Sequence, residues 1–119
     1  MVINIQTDGD LNYAPGVLWS AVHHKLPLLT LMHNNRAWHQ ELMFLEYMAG
    51  ARGRGTDRAH IGTTLRDPFI DYAKMASAYG MKSEGPISDP SQLYLPAKFV
   101  GERARVTDNQ VQVRGAHVH

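Results

Sequence analysis

The chain opens on a β-rich run, Val2-Ile3-Asn4-Ile5-Gln6, which ends in the turn-forming cluster Thr7-Asp8-Gly9-Asp10. That pattern predicts a buried strand followed by a loop. Pro15 stands where a first helical turn tolerates it, and Val17, Leu18, Ala21 and Val22 recur at helical spacing up to Lys25, before Pro27 stops the pattern. A helix of about three turns is expected there. Leu28 to Met32 is a second apolar run, closed by His33-Asn34-Asn35. Both runs read as apolar throughout rather than alternating, as in strands covered on two faces.

Strand, helix and strand in this order make a βαβ unit, nearly always right-handed, with both strand C-termini at one edge of a parallel sheet. Asp8 and Asn35 are therefore expected to lie together. From Ala37 to Met48, the positions Leu42, Met43, Leu45 and Met48 predict a second helix, with Trp38 and Phe44 adding apolar bulk. Gly50-Ala51-Arg52-Gly53-Arg54-Gly55-Thr56 reads as a mobile loop by composition. Asp67-Pro68 is expected to start a helix with Phe69, Ile70, Ala73, Met75, Ala76 and Tyr79 on or near its buried stripe, ended by Gly80. Ser88-Asp89-Pro90 has the form of a further cap and first turn. Beyond Tyr94 the pattern weakens: Pro96 interrupts a would-be helix, and Val111-Gln112-Val113 is the only later strand candidate. The expectation is an α/β fold, a three-layer αβα arrangement on a parallel sheet, with one domain over residues 1–93 and an atypical tail over 94–119.

Composition narrows the classes. At 119 residues and a formal charge of +1, the chain is long enough for one core that buries roughly two thirds of its unfolded surface. The absence of cysteine excludes disulfides, thiolate zinc sites, iron–sulfur centres and a cysteine nucleophile. No apolar run approaches the roughly 18 residues of a membrane span, and no basic leader precedes Val2, so a cytoplasmic chain without membrane contact is expected. Near-zero charge argues against nucleic acid as a partner.

In open α/β sheets ligands collect at the carboxyl ends of the strands, and that edge carries Asp8, Gly9, Asp10, Asn12, Asn34 and Asn35. Carboxylate and amide oxygens among small turns suit a hard cation such as Mg²⁺ or Ca²⁺ bridging to a phosphate. The loop entering a helix near Ala14 to Gly16 would also offer backbone N–H groups to an anion.

At these residues the chain resembles the thiamine diphosphate-dependent enzymes, in their C-terminal diphosphate-binding domain. The family motif is Gly-Asp-Gly, a spacer, then Asn-Asn; here Thr7-Asp8-Gly9 is followed by Asn34-Asn35, with Asp8 and Asn35 separated by 27 positions (35 − 8). The run from Asp8 through Tyr13, Pro15 and Trp19 to Ala21 is similar to the benzoylformate decarboxylase and acetolactate synthase-like branch. Asn34-Asn35-Arg36-Ala37-Trp38-His39-Gln40-Glu41, Phe69-Ile70-Asp71-Tyr72-Ala73 and Ala78-Tyr79-Gly80 continue the likeness, which covers residues 2–90.

The resemblance implies that Asp8, the Asn35 side chain and the backbone carbonyl of Ala37 coordinate Mg²⁺, with diphosphate oxygens completing an octahedron. It places Gly9, Asp10 and Asn34 along the diphosphate, and Leu11 and Tyr13 toward the thiazolium or substrate side. It implies thiamine diphosphate as cofactor, a small-molecule 2-keto acid as substrate of decarboxylation or carboligation, and a homo-oligomer. No catalytic residue is assigned, because in the family the aminopyrimidine and the activating Glu are handled by a separate domain of a partner subunit; the chain alone is not expected to turn over substrate. Two positions depart from the motif. Thr7 replaces the first glycine, and Asp10 brings a second negative charge toward a diphosphate, at an electrostatic cost. The stretch after about Gln92 matches neither the closing helix nor the Val-rich strand of the family, so a fragment cut at both ends, with a reading-frame change near Gln92, is expected.

Other chemistries can be drawn from the same residues. Ser20 and His24 lie four apart on the predicted first helix, with His23, His33 and His39 near in sequence, which permits a small esterase-like hydrolase on paper. A nucleophile usually stands on a sharp turn beside an oxyanion hole, and no Gly-x-Ser-x-Gly occurs. The seven histidines contain no His-Glu-x-x-His, and His23 and His24 diverge on a helix, so surface histidines are the simpler account than zinc. Arg52-Gly53-Arg54-Gly55 reads as a solvated loop before it reads as a phosphate contact, and Met43, Met48, Met75 and Met81 as packing. A non-catalytic oligomerising module is the remaining alternative.

Overall fold

The computed structural model of the protein describes residues 2–89, 91 and 105–109. The chain divides into two units, one formed by Met1–Asn35 with Asp71–His119 and the other by Arg36–Ile70. In the first unit, β1 (Val2–Thr7), β2 (Leu28–His33), β3 (Lys82–Ile87) and β4 (Arg105–Asn109) form an all-parallel sheet in the order β1-β2-β4-β3. The predicted βαβ start is present: α2 (Val17–His23) connects β1 to β2, and Val2 N–H donates to the Pro27 carbonyl at 2.8 Å, tying together the starts of the two strands.

Several features differ from the sequence expectation. Asp8-Gly9-Asp10 is not an open loop but the start of a six-residue helix, α1 (Asp8–Tyr13). Its residues favour turns by propensity, and what they gain from helix geometry is the burial of Leu11 and Gly9. β1 is not covered on two faces: it is an edge strand, and Ile3 and Ile5 remain largely exposed. β3 is not announced by its residues, because Lys-Ser-Glu-Gly-Pro-Ile lacks the β-branched content of a strand. Its place at the opposite edge explains the tolerance, since an edge strand can carry Gly85, Pro86 and a register break between Glu84 and Ile87. β4 falls within the segment set apart as a tail and lies between β2 and β3, while the candidate strand Val111-Gln112-Val113 lies outside the described residues.

The last helix, α4 (Tyr72–Ala78), packs against β3 and β4. It starts at Asp71 rather than Asp67, because the Asp71 carboxylate accepts the Lys74 backbone N–H at 2.9 Å and so closes the first turn. Its end is legible in the sequence: Gly80 adopts φ of 88°, and the Met81 and Gly80 N–H groups donate to the carbonyls of Ala76 (3.0 Å) and Ser77 (2.9 Å). Among the described residues of this unit, Tyr72 and Met32 are the largest fully buried apolar side chains, joined in the core by Leu11, Leu18, Ala21, Leu29, Ala73, Ala76 and Met81.

The Asp71 cap supports a pH prediction. Its carboxyl is held below the usual value of 3.8, first by the hydrogen bond from the Lys74 backbone and then by the Lys74 side chain, whose ammonium stands 3.0 Å away. A depressed folded-state value means that the ionised group stabilises the fold above its unfolded pKa and loses that contribution as pH falls through the folded one. Asp71→Ala is expected to lower stability by about 1 kcal/mol at pH 7. In urea titrations the difference from the parent should shrink as pH drops below 3.8; a difference unchanged down to the acid limit would refute the cap as its source.

In the second unit, α3 (His39–Ala51) runs past the predicted end at Met48, and Gly50 and Ala51 belong to the helix rather than to the loop. None of its residues is buried, and Met43, Phe44, Leu45 and Tyr47 are exposed. Its entry is anchored by Trp38 N–H to the Thr63 carbonyl (2.9 Å), Leu65 N–H to the Arg36 carbonyl (2.8 Å) and an antiparallel bridge between Ala37 and Thr64. The Arg36 guanidinium lies 4.2 Å from the centre of the Phe69 ring.

Candidate functional site

Register places the site. Thr7 pairs with His33 at the carboxyl ends of β1 and β2, so Asp8 and Asn34 are the first residues to leave adjacent parallel strands at one edge. Asp8 is completely buried, Gly9 is buried beside it, Asn34 is 5% exposed and Asn35 half-buried. The carboxylate and the two amides that sequence reasoning singled out are therefore brought to one sheet edge.

The donor chemistry fits a hard divalent cation. A carboxylate removed from water is costly unless positive charge or strong donors compensate it, and carboxylate and amide oxygens are the ligands Mg²⁺ prefers. Among the described residues no group of three or more His, Cys, Asp or Glu stands together. The oxygens that the described residues bring to this edge are those of the Asp8 carboxylate and of the Asn34 and Asn35 amides.

The remaining predicted residues fall into different surroundings. Asp10 is exposed, and its carboxylate accepts a hydrogen bond from the Thr7 hydroxyl at 2.8 Å. Thr7, which stands for the first glycine of Gly-Asp-Gly, is thus bonded to Asp10, the residue that follows the triplet. Leu11 is 3% exposed and belongs to the core, whereas Tyr13 is 75% exposed. Ala37 is buried within the second unit, on its bridge to Thr64. The backbone N–H groups expected at the start of α2 are already engaged: Val17 donates to the Ala14 carbonyl and Leu18 to that of Pro15, both at 3.1 Å.

Ser20 is half-buried in the middle of α2, where its carbonyl accepts the His24 N–H at 3.0 Å. The His23 ring stacks on Trp19 with centroids 4.8 Å apart, and His24 stands edge-on to it. Among the described residues no hydrogen bond joins the Ser20 hydroxyl to a histidine, and a mid-helix serine lacks the turn that exposes a nucleophile. Arg52 and Arg54 are exposed beyond the end of α3.

Sequence reasoning missed one participant. The Tyr72 hydroxyl, on a residue 1% exposed, donates to the backbone carbonyl of Asp8 at 3.3 Å and accepts from the Asn12 side-chain amide at 3.0 Å. A signal is present in the segment Phe69-Ile70-Asp71-Tyr72-Ala73, but helical phasing from Asp67 favours Tyr79 for the buried stripe.

The sequence model described as thiamine pyrophosphate enzyme, C-terminal TPP binding domain, matches residues 1–98. No curated protein matches the chain. Among solved structures, the chain is similar to the Rhodococcus jostii RHA1 thiamine diphosphate-dependent 4-hydroxybenzoylformate decarboxylase, with a TM-score of 0.71 and 22% identity over 92% of this chain. At that identity the likeness is one of fold, and the chain spans 19% of the length of that enzyme.

Proposed function

Because the chain belongs to the thiamine pyrophosphate enzymes, as their C-terminal TPP-binding domain, we propose that it holds the diphosphate end of thiamine diphosphate through Mg²⁺ bound by Asp8 and Asn35. The observation that carries this reading is the burial of the Asp8 carboxylate next to Asn34 where β1 and β2 end in register. Gly9 is buried beside Asp8 in α1, and Asn34 supplies an amide to the same edge. Asp10, bonded to Thr7, is kept from adding an unpartnered negative charge beside the diphosphate.

When bound, the cofactor supplies carbanion chemistry on 2-keto acids, by decarboxylation or by acetolactate synthase-like carboligation. This chain's own residues bind and orient; no proton transfer is assigned to them. Turnover requires the other half of the cofactor site, so the chain alone is a binding domain.

Thermal melting of the chain tests the reading. Millimolar thiamine diphosphate with Mg²⁺ is expected to raise the melting temperature, by the equivalent of about 2.7 kcal/mol at a hundredfold excess over Kd. Either component alone should give a much smaller rise, and addition of EDTA should reverse it. An unchanged melting temperature with both present would overturn the proposal.

A further inference from the structure

We propose that Tyr72 is a positioning residue that clasps α1 and thereby sets the place of Asp8, an inference that rests on the cofactor reading for its functional half. α1 has only six residues, too few to be stable by its own hydrogen bonds, and Thr7 supplies no side-chain cap at its start. Something outside the helix must hold it. Tyr72 reaches it at two points: the hydroxyl donates to the carbonyl of Asp8, the first residue, and accepts from the side chain of Asn12, the fifth.

The tyrosine itself stands on a fixed base. Its neighbour Asp71 caps α4, the Gly80 turn closes the other end of that helix, and the Ser83 hydroxyl donates to the Ala73 carbonyl at 2.6 Å, tying α4 to β3. Ring burial positions the hydroxyl, and the hydroxyl positions α1. Tyr72→Phe keeps the ring in its place while deleting both bonds, and it leaves the Asn12 amide without its acceptor. Water can replace the bond that the half-buried Asn12 amide loses, so the loss reduces to that of one net hydrogen bond and the effect expected at α1 is up to about tenfold in opening or binding.

The experiment has two arms. Amide hydrogen exchange, measured without cofactor, should quicken up to about tenfold across residues 8–13 in Tyr72→Phe while α2 keeps its protection. Melting with Mg²⁺ and thiamine diphosphate should then show a smaller cofactor-dependent rise than the parent at equal ligand, through a Kd weakened by up to about tenfold. Tyr79→Phe, at the C-cap of the same helix, is the control and should leave both readouts unchanged. Parental exchange at 8–13, exchange that rises equally everywhere, or an undiminished cofactor rise overturns the proposal. If the parent chain itself shows no cofactor rise, the cofactor reading fails instead, and the exchange arm alone decides whether the clasp exists.

Discussion

Asp8→Asn is expected to abolish most of the melting-temperature rise that Mg²⁺ and thiamine diphosphate confer. The substitution keeps the shape of the side chain and one carbonyl oxygen, so the fully buried site is refilled without a cavity. What it removes is the negative charge, and a small divalent cation that surrenders water reluctantly depends on at least one carboxylate among its ligands. At a hundredfold ligand excess the parent's gain of about 2.7 kcal/mol corresponds to roughly 10 °C in a domain of this size. The variant should retain only a small part of that, while its melting point without ligand moves far less. Asp10→Asn is the informative comparison. Asp10 is exposed and bonded to Thr7 rather than buried at the strand end, so this variant should keep the larger part of the rise. Equal losses at the two positions would indicate that summed charge, not the Asp8 ligand, governs binding. An undiminished rise in Asp8→Asn would remove Asp8 from the metal site altogether.

That contrast between two aspartates two residues apart is only half visible in the sequence. Turn formers after an apolar strand locate the edge, and the spacing to Asn34-Asn35 locates its partner. Those are statements about strand ends, and parallel pairing of β1 with β2 follows from the helix between them. Which aspartate faces inward depends on α1, and Asp-Gly-Asp-Leu-Asn-Tyr carries no helical periodicity to announce it. The start of α4 is obscured for a related reason. Asp67 and Asp71 are both plausible caps, and only the hydrogen bond to the Lys74 N–H distinguishes them. Choosing Asp67 shifts the helix and hides Tyr72, the residue that ties α4 back to the site. β3 is illegible because an edge strand is relieved of the packing that makes strands recognisable. The same physics misleads in the opposite direction at β1, where Ile3 and Ile5 have the composition of buried residues and the exposure of an edge.

Met32→Ala should cause the largest loss of stability of any single truncation in β1 or β2, about 2–5 kcal/mol. Met32 lies on β2, an interior strand, in register with Gln6 of β1 and Asp108 of β4, and is fully buried. Residues two apart on a strand share a face, so Met32 stands with Thr30, which is 1% exposed and whose hydroxyl has no hydrogen-bond partner among the described residues. That face therefore already carries a polar cost, and Met32 is its fully buried large apolar side chain, where Leu28 is only half-buried. In a domain whose total stability is of order 5–15 kcal/mol, losing it shifts the urea midpoint substantially. Met32→Leu, close to the same volume, should cost less than about 1.5 kcal/mol. Ile5→Ala deletes a comparable apolar side chain from the neighbouring strand, yet Ile5 is 78% exposed, and the expected loss is within about 0.5 kcal/mol. By composition the two positions are interchangeable members of apolar strands; by placement they differ severalfold in energy. Similar midpoints for Met32→Ala and Ile5→Ala would mean that β2 is not the buried centre of the sheet, and the joint ending of β1 and β2 at Asp8 and Asn34 would lose its foundation.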